Sequence, residues 1–133
     1  SCVREAADGY GLTPNEVAVL LFLSRHAPQQ DTATDIASAC GISKALVARS
    51  VDGLHRRGFL KGERDENDRR LIHLRLCGEG GMLAEQLKQK GRSVARQLQK
   101  GVSDEELQAV HSIMRKMQRN LDGMLEHMEG QVK

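Results

Sequence analysis

The apolar residues of this chain change period twice, and few folds accept that order. Ile72, Leu74 and Leu76 face one way and Leu71, His73 and Arg75 the other, an alternation that marks a half-buried strand. Residues 59–64 read as a second short strand. The loop between them, Asp65-Glu66-Asn67-Asp68-Arg69-Arg70, holds no apolar residue, so the pair is expected to form a hairpin. On both sides the period returns to about 3.6. The expectation is a mainly α protein with one small antiparallel hairpin.

The helices announce their own ends. Thr13-Pro14-Asn15-Glu16 is a capping box with proline where no N–H is needed, and the apolar run 17–23 predicts a largely buried helix that stops before Pro28. Thr32 and Asp35 open a second helix, with Ile36, Ala37 and Cys40 as its apolar face and Gly41 as a left-handed cap. Ser43 caps a third, with Leu46, Val47, Val51 and Leu54 on one stripe and Gly58 as its stop. From residue 79 the chain is helical again, Leu83, Leu87, Val94 and Leu98 sharing a face. Gly101-Val102 interrupts it, and Ser103 to Glu106 form another capping box. Leu107, Val110, Met114, Met117, Leu121, Met124 and Met128 then step by alternating threes and fours, a heptad seam over 103–128 that suits a partner helix from the same chain or a second copy.

Charge and composition narrow the function. The net charge is only +2, but residues 43–75 hold nine basic and five acidic side chains, or +4, against −3 for 1–42 and +1 for 76–133. An anionic polymer would meet that middle third. Tyr10, Phe22 and Phe59 are the only aromatics, which argues against a single-strand binder that stacks bases on a row of them. The longest apolar run is too short for a membrane span, no signal peptide is visible, and three cysteines without a CxxC pair read as reduced thiols, so no membrane and a cytoplasmic location are expected.

Two helices joined at Gly41-Ile42 make a helix-turn-helix, and the hairpin that follows makes it winged. The second helix offers Ser43, Lys44, Ala45, Ala48 and Arg49 on its outward N-terminal side. Small side chains let the backbone approach a groove floor, Lys44 and Arg49 reach bases or phosphates, and Ser43 can bond a phosphate at the helix N-terminus. Arg69 and Arg70 stand on the hairpin tip, where a narrow minor groove attracts arginine, with Asp65 or Asp68 holding one of them extended through a bidentate pair. His55, Arg56 and Arg57 read equally as cations that complement a helix C-terminus.

Residues 12–83 resemble the MarR/SlyA family of bacterial regulators. The resemblance is carried by Gly11-Leu12-Thr13-Pro14, the run 17–23, Ile36-Ala37, residues 43–54, Arg57-Gly58-Phe59-Leu60 and residues 65–70 before a strand. It implies a winged helix-turn-helix with terminal dimerisation helices. Its expected parts are 1–12 (N-terminal dimerisation region), 13–78 (DNA-binding domain) and 79–133 (C-terminal dimerisation helices). It implies a homodimeric repressor reading a palindromic operator on double-stranded DNA, an inverted repeat of roughly 16–20 bp, and relieved by a small-molecule effector. By that analogy Arg70 enters the minor groove, Asp68 orients it, Ser43, Lys44, Ala48 and Arg49 meet the major groove, and Tyr10, Phe22 and Arg25 line an effector pocket. Three positions depart from the family pattern. Only ten residues precede Gly11, where a long first helix is usual, so a trimmed chain or a smaller dimer interface is expected. Gly62 and Glu66 replace a basic residue and a proline of the wing, and Cys77 replaces a capping threonine, so a looser start of the next helix is expected.

Other chemistries fare worse. No Walker A, HExxH or GxSxG pattern supports an enzyme, and no cofactor is implied. His111 and His127 are 16 residues apart and point to nearly opposite helix faces, while His26, His55 and His73 read as isolated solvated histidines, so no metal is expected. Cys40 reads as core, and Cys2 and Cys77 as inert thiols in preference to redox sensors. The alternative is a winged-helix adaptor that contacts protein, against which Lys44, Arg49, Arg69 and Arg70 argue.

Overall fold

The computed structural model describes residues 9–132. Among these residues five helices and one hairpin follow in the order α1 (Pro14–His26), α2 (Ala33–Cys40), α3 (Lys44–Arg56), β1 (Leu60–Arg64), β2 (Ile72–Leu76), α4 (Glu79–Leu98) and α5 (Asp104–Val132). They form two compact units, one ending at Ala95 and the other starting at Arg96.

Each helix of the first unit begins and ends where its side chains satisfy the free backbone groups. The Thr13 hydroxyl accepts the Glu16 N–H at 3.1 Å and the Glu16 carboxylate accepts the Thr13 N–H at 2.9 Å. Thr32 and Asp35 repeat this at 3.1 Å both ways. Such caps contribute about 1 kcal/mol each. Gly41, at φ +64°, closes α2 in the left-handed conformation that lets the chain turn directly into Ser43, the N-cap of α3. At the other end of α3, Gly58 N–H bonds His55 O and Phe59 N–H bonds Leu54 O, both at 3.0 Å, a Schellman motif whose two apolar partners, Leu54 and Phe59, are buried. This motif takes Phe59 out of the strand expected over 59–64. β1 therefore starts at Leu60 and pairs antiparallel with β2, Leu60 opposite Leu76 and Arg64 opposite Ile72.

The core of the first unit gathers Val19, Leu20 and Leu23 of α1, Ile36 of α2, Val47 and Leu54 of α3, Leu60 and Leu74 of the hairpin, and Leu83, Ala84 and Leu87 of α4. The first half of α4 thus packs into the same body as the helix-turn-helix, beyond residue 78. Cys77 does not cap α4 through its thiol, which lies 3.5 Å from Gly58 O; its backbone carbonyl takes the Gly80 N–H at 2.9 Å instead.

Burial departs from the expected apolar faces at helix ends. Cys40, expected in the core, is exposed, because it is the last residue of α2 and the core covers this short helix at Ile36 and Ala37. Leu46 is exposed in the first turn of α3, ahead of the span from Val47 to Leu54 that the core covers. Val94 and Leu98 are exposed on α4 although Leu83 and Leu87 are buried. In the second unit, the Ser103 hydroxyl and Glu106 carboxylate form their capping box at 3.1 Å each way, and α5 runs past the expected 128 to Val132. None of its residues is buried.

Candidate nucleic-acid interface

The N-terminal half of α3 carries an exposed row of Lys44, Ala45, Ala48 and Arg49. Neither Lys44 nor Arg49 pairs with a carboxylate among the described residues. Two free cations flanking small side chains leave both charge and close approach open to an incoming polyanion. Ser43 spends its acceptor on the Leu46 N–H at 3.2 Å, and its hydroxyl proton remains free to donate. The basic cluster at the other end of the helix is occupied. Arg56 pairs with Asp52 at 3.4 Å, and the Arg57 guanidinium lies 4.9 Å from the centre of the Phe59 ring. His55 lines a groove of about 460 Å³ whose walls are α3, with Ala48, Val51 and Asp52, and the hairpin, with Gly62, Arg64 and Ile72. α3 and the hairpin therefore border one concavity. The absent side chain of Gly62 helps keep it open, since a Cβ there would meet Ile72 Cγ2 at 2.9 Å.

The hairpin tip is built by its own carboxylates. Asp65 Oδ2 accepts the N–H groups of Asn67 at 2.9 Å and Asp68 at 2.8 Å, which folds the loop back on itself. Asp68 grips Arg70 by both oxygens, Oδ1 to Nε at 3.0 Å and Oδ2 to a terminal nitrogen at 3.1 Å, and also accepts the Arg70 N–H. The Arg70 bonds hold the Asp68 carboxyl below the usual carboxylate range and the guanidinium above its ordinary value. The Arg70 side chain is nevertheless 89% exposed, so the pair orients a cation without covering it. Arg69 is exposed and makes no ion pair among the described residues; its carbonyl takes a 3.4 Å bond from Arg64.

His73, expected to be isolated and solvated, is half-buried and has a partner on each ring nitrogen. Its Nδ1 lies 2.7 Å from Asp31 Oδ1 and its Nε2 lies 2.7 Å from Asp65 Oδ1. Asp31 is 42 residues away in sequence, and no periodicity could have exposed the pairing. Asp31 also receives Arg75 at 2.8 Å and is buried.

The residues read as effector ligands are only partly together. Phe22 and Arg25 border a groove of about 350 Å³ with Ala18, Leu21, His26, Ala39 and Cys40, and the Phe22 and His26 rings stand 4.7 Å apart. Tyr10 is exposed ahead of α1 and does not line it. Cys2 lies outside the described residues.

Comparison with known proteins agrees with this geometry. Residues 10–71 match the sequence model of the MarR family. The transcriptional repressor MprA of Escherichia coli (strain K12) is 25% identical over 114 residues, 86% of this chain and 65% of MprA. The HTH-type transcriptional repressor YetL of Bacillus subtilis (strain 168) is 29% identical over 98 residues, 74% of this chain and 59% of YetL. The chain thus spans less than two thirds of the length of either relative. Among solved structures, the transcriptional regulator PA3341 superposes with a TM-score of 0.81 at 24% identity, covering 91% of this chain and 88% of that one. An S. aureus MepR–DNA complex gives 0.74 at 21% identity, covering 90% and 87%. At these identities the superpositions establish the winged helix-turn-helix fold.

Proposed function

We propose that the chain is a member of the MarR family and acts as a cytoplasmic, homodimeric, sequence-specific repressor that binds a palindromic operator in double-stranded DNA. The observation that carries the reading is the Asp68–Arg70 pair: a guanidinium held in both directions by one carboxylate, yet exposed, at the tip of a hairpin that shares a groove with α3. In this reading α3 enters the major groove with Ser43, Lys44, Ala48 and Arg49, and Arg70 enters the adjacent minor groove while Arg69 contacts phosphate. The α5 seam supplies the second copy, so two α3 helices stand about one turn of duplex apart. A small molecule of the size of the α1 groove, held against Phe22 and Arg25, relieves repression.

The test is selection of duplexes from a random pool, followed by binding at several salt concentrations. An inverted repeat should emerge, and log K should fall linearly with log salt by about 0.9 for each phosphate neutralised. Arg70→Ala should weaken the selected operator about tenfold or more, mainly where its flanks are A·T-rich. Arg69→Ala should weaken all sequences alike and reduce the salt slope by about one per protomer. Absence of duplex binding near 50 mM salt, about the low end of such assays, would return the chain to the adaptor reading.

A further inference from the structure

The hydrogen bonds at the base of the hairpin form one continuous chain that ends on the tip arginine. Asp31 lies in the link between α1 and α2 with its side chain only 4% exposed. Its carbonyl accepts the Leu74 N–H at 2.9 Å, which fixes β2 beside the link. Its Oδ1 faces His73 Nδ1, and His73 Nε2 faces Asp65 Oδ1, both at 2.7 Å. The other oxygen of Asp65 folds the loop through Asn67 and Asp68, and Asp68 grips Arg70.

This chain constrains the protonation state of the ring. A neutral imidazole carries one N–H and donates to one carboxylate only; its second nitrogen would then set a lone pair against an oxygen at 2.7 Å. The imidazolium donates to both. Its surroundings favour that form. Asp31 from the α1–α2 link, Asp35 from α2, Asp65 from the loop and Glu63, the cross-strand partner of His73 on β1, bring four carboxylates around it. Arg75 of β2 is the cation among them, and it is shared between Asp31 at 2.8 Å and Glu63 at 3.7 Å.

We propose that protonated His73 is the positioning residue of the wing: it clasps the loop carrying Asp68 and Arg70 to the buried Asp31, and wing contact with duplex DNA weakens when the ring loses its proton. The consequence for DNA rests on the function proposed above; the clasp does not. Bonding to Asp31, then to Asp65, raises the His73 value above its ordinary 6.5. A raised value in the folded state means the clasp is complete below that ordinary value and is lost as the pH climbs through the raised one.

The test follows both levels in the full chain. Nitrogen NMR of His73, with the amides of Asn67, Asp68 and Arg70, is recorded between about pH 5.5 and 9.5. Alongside it, an inverted-repeat duplex selected from a random pool is titrated at fixed ionic strength with wild-type protein, His73→Gln and Asp65→Asn. The ring should carry both protons at neutral pH, and the loop amides should shift with its titration. Wild-type affinity should fall roughly three- to tenfold as the proton leaves. His73→Gln should bind weakly with a flat profile. Asp65→Asn keeps an oxygen for the loop N–H groups and should flatten the profile without unfolding the loop. A singly protonated ring at neutral pH, loop amides that ignore its titration, or the same pH profile in wild type and His73→Gln would each overturn the clasp. Failure of the wild-type protein to bind duplex at any pH would overturn the DNA-binding reading instead, and the NMR titration then decides the clasp alone.

Discussion

Leu121→Glu is expected to convert the protein to a monomer that has lost its operator. The argument begins with the spacing of α5. Leu107, Val110, Met114, Met117, Leu121, Met124 and Met128 mark a seam of alternating threes and fours, the pattern by which two helices bury apolar residues against each other. Within one protomer the seam stays open: Val110 to Met128 are 46–63% exposed along it. A row of leucine and methionine this long, left in water, is the kind of surface that protein contact covers, and the proposed homodimer assigns it to a second copy. A carboxylate at position 121 would have to be stripped of water among apolar seam residues, and removing one module of a two-headed binder costs about a hundredfold in affinity or more. Sedimentation velocity reports the mass and anisotropy with the selected duplex reports the binding. Met117→Glu should behave in the same way, whereas Gln108→Glu, off the seam on the same helix, should leave a dimer. Circular dichroism separates dissociation from loss of the helix. A Leu121→Glu dimer with native affinity would mean that the seam is not the interface.

What the sequence discloses here depends on how far apart the interacting residues lie along the chain. The capping boxes at 13/16, 32/35 and 103/106 are bonds between a side chain and a backbone three residues off, and each forms where the spacing places it. The Asp68–Arg70 pair spans two residues, but spacing alone left Asp65 or Asp68 as the holder of either arginine; only the family resemblance singled out this pair. Burial at helix ends was not. Cys40 and Leu46 continue their local periodicity, but whether an apolar side chain is covered depends on where the neighbouring element stops. The Asp31–His73–Asp65 bridge was invisible for the same reason at longer range. It exists because β2 runs beside the α1–α2 link, and only the assembled fold brings residue 31 to residue 73. The α5 seam falls between these cases: its pattern is local, while the helix that would cover it is not written in the spacing.

Residues 78–81 show the same limit with an energetic consequence. Gly78-Glu79-Gly80-Gly81 joins the hairpin to the next helix, yet its two adjacent glycines should respond to alanine with opposite signs. Gly81 has open space around its missing Cβ, so Gly81→Ala should gain up to about 1 kcal/mol from helix propensity. At Gly80 a Cβ would overlap Phe59 O and stand 2.7 Å from its carbonyl carbon. Both are backbone atoms, so no rotamer change relieves the clash. Phe59 has no freedom to retreat: its N–H closes α3 on Leu54, its carbonyl takes the Cys77 N–H, and its ring is buried. The strain must move α4 instead, and α4 carries Leu83, Ala84 and Leu87, each no more than 2% exposed, in the core shared with the helix-turn-helix. Gly80→Ala should therefore cost about 3 kcal/mol or more and lower Tm by roughly 10 °C in a calorimetric scan. Because α4 and the hairpin meet at Phe59, the loss should appear in one cooperative transition that takes the DNA-binding module with it. A Gly80→Ala protein as stable as wild type would show that α4 does not start against the Phe59 backbone, and would detach the wing from the helix that follows it.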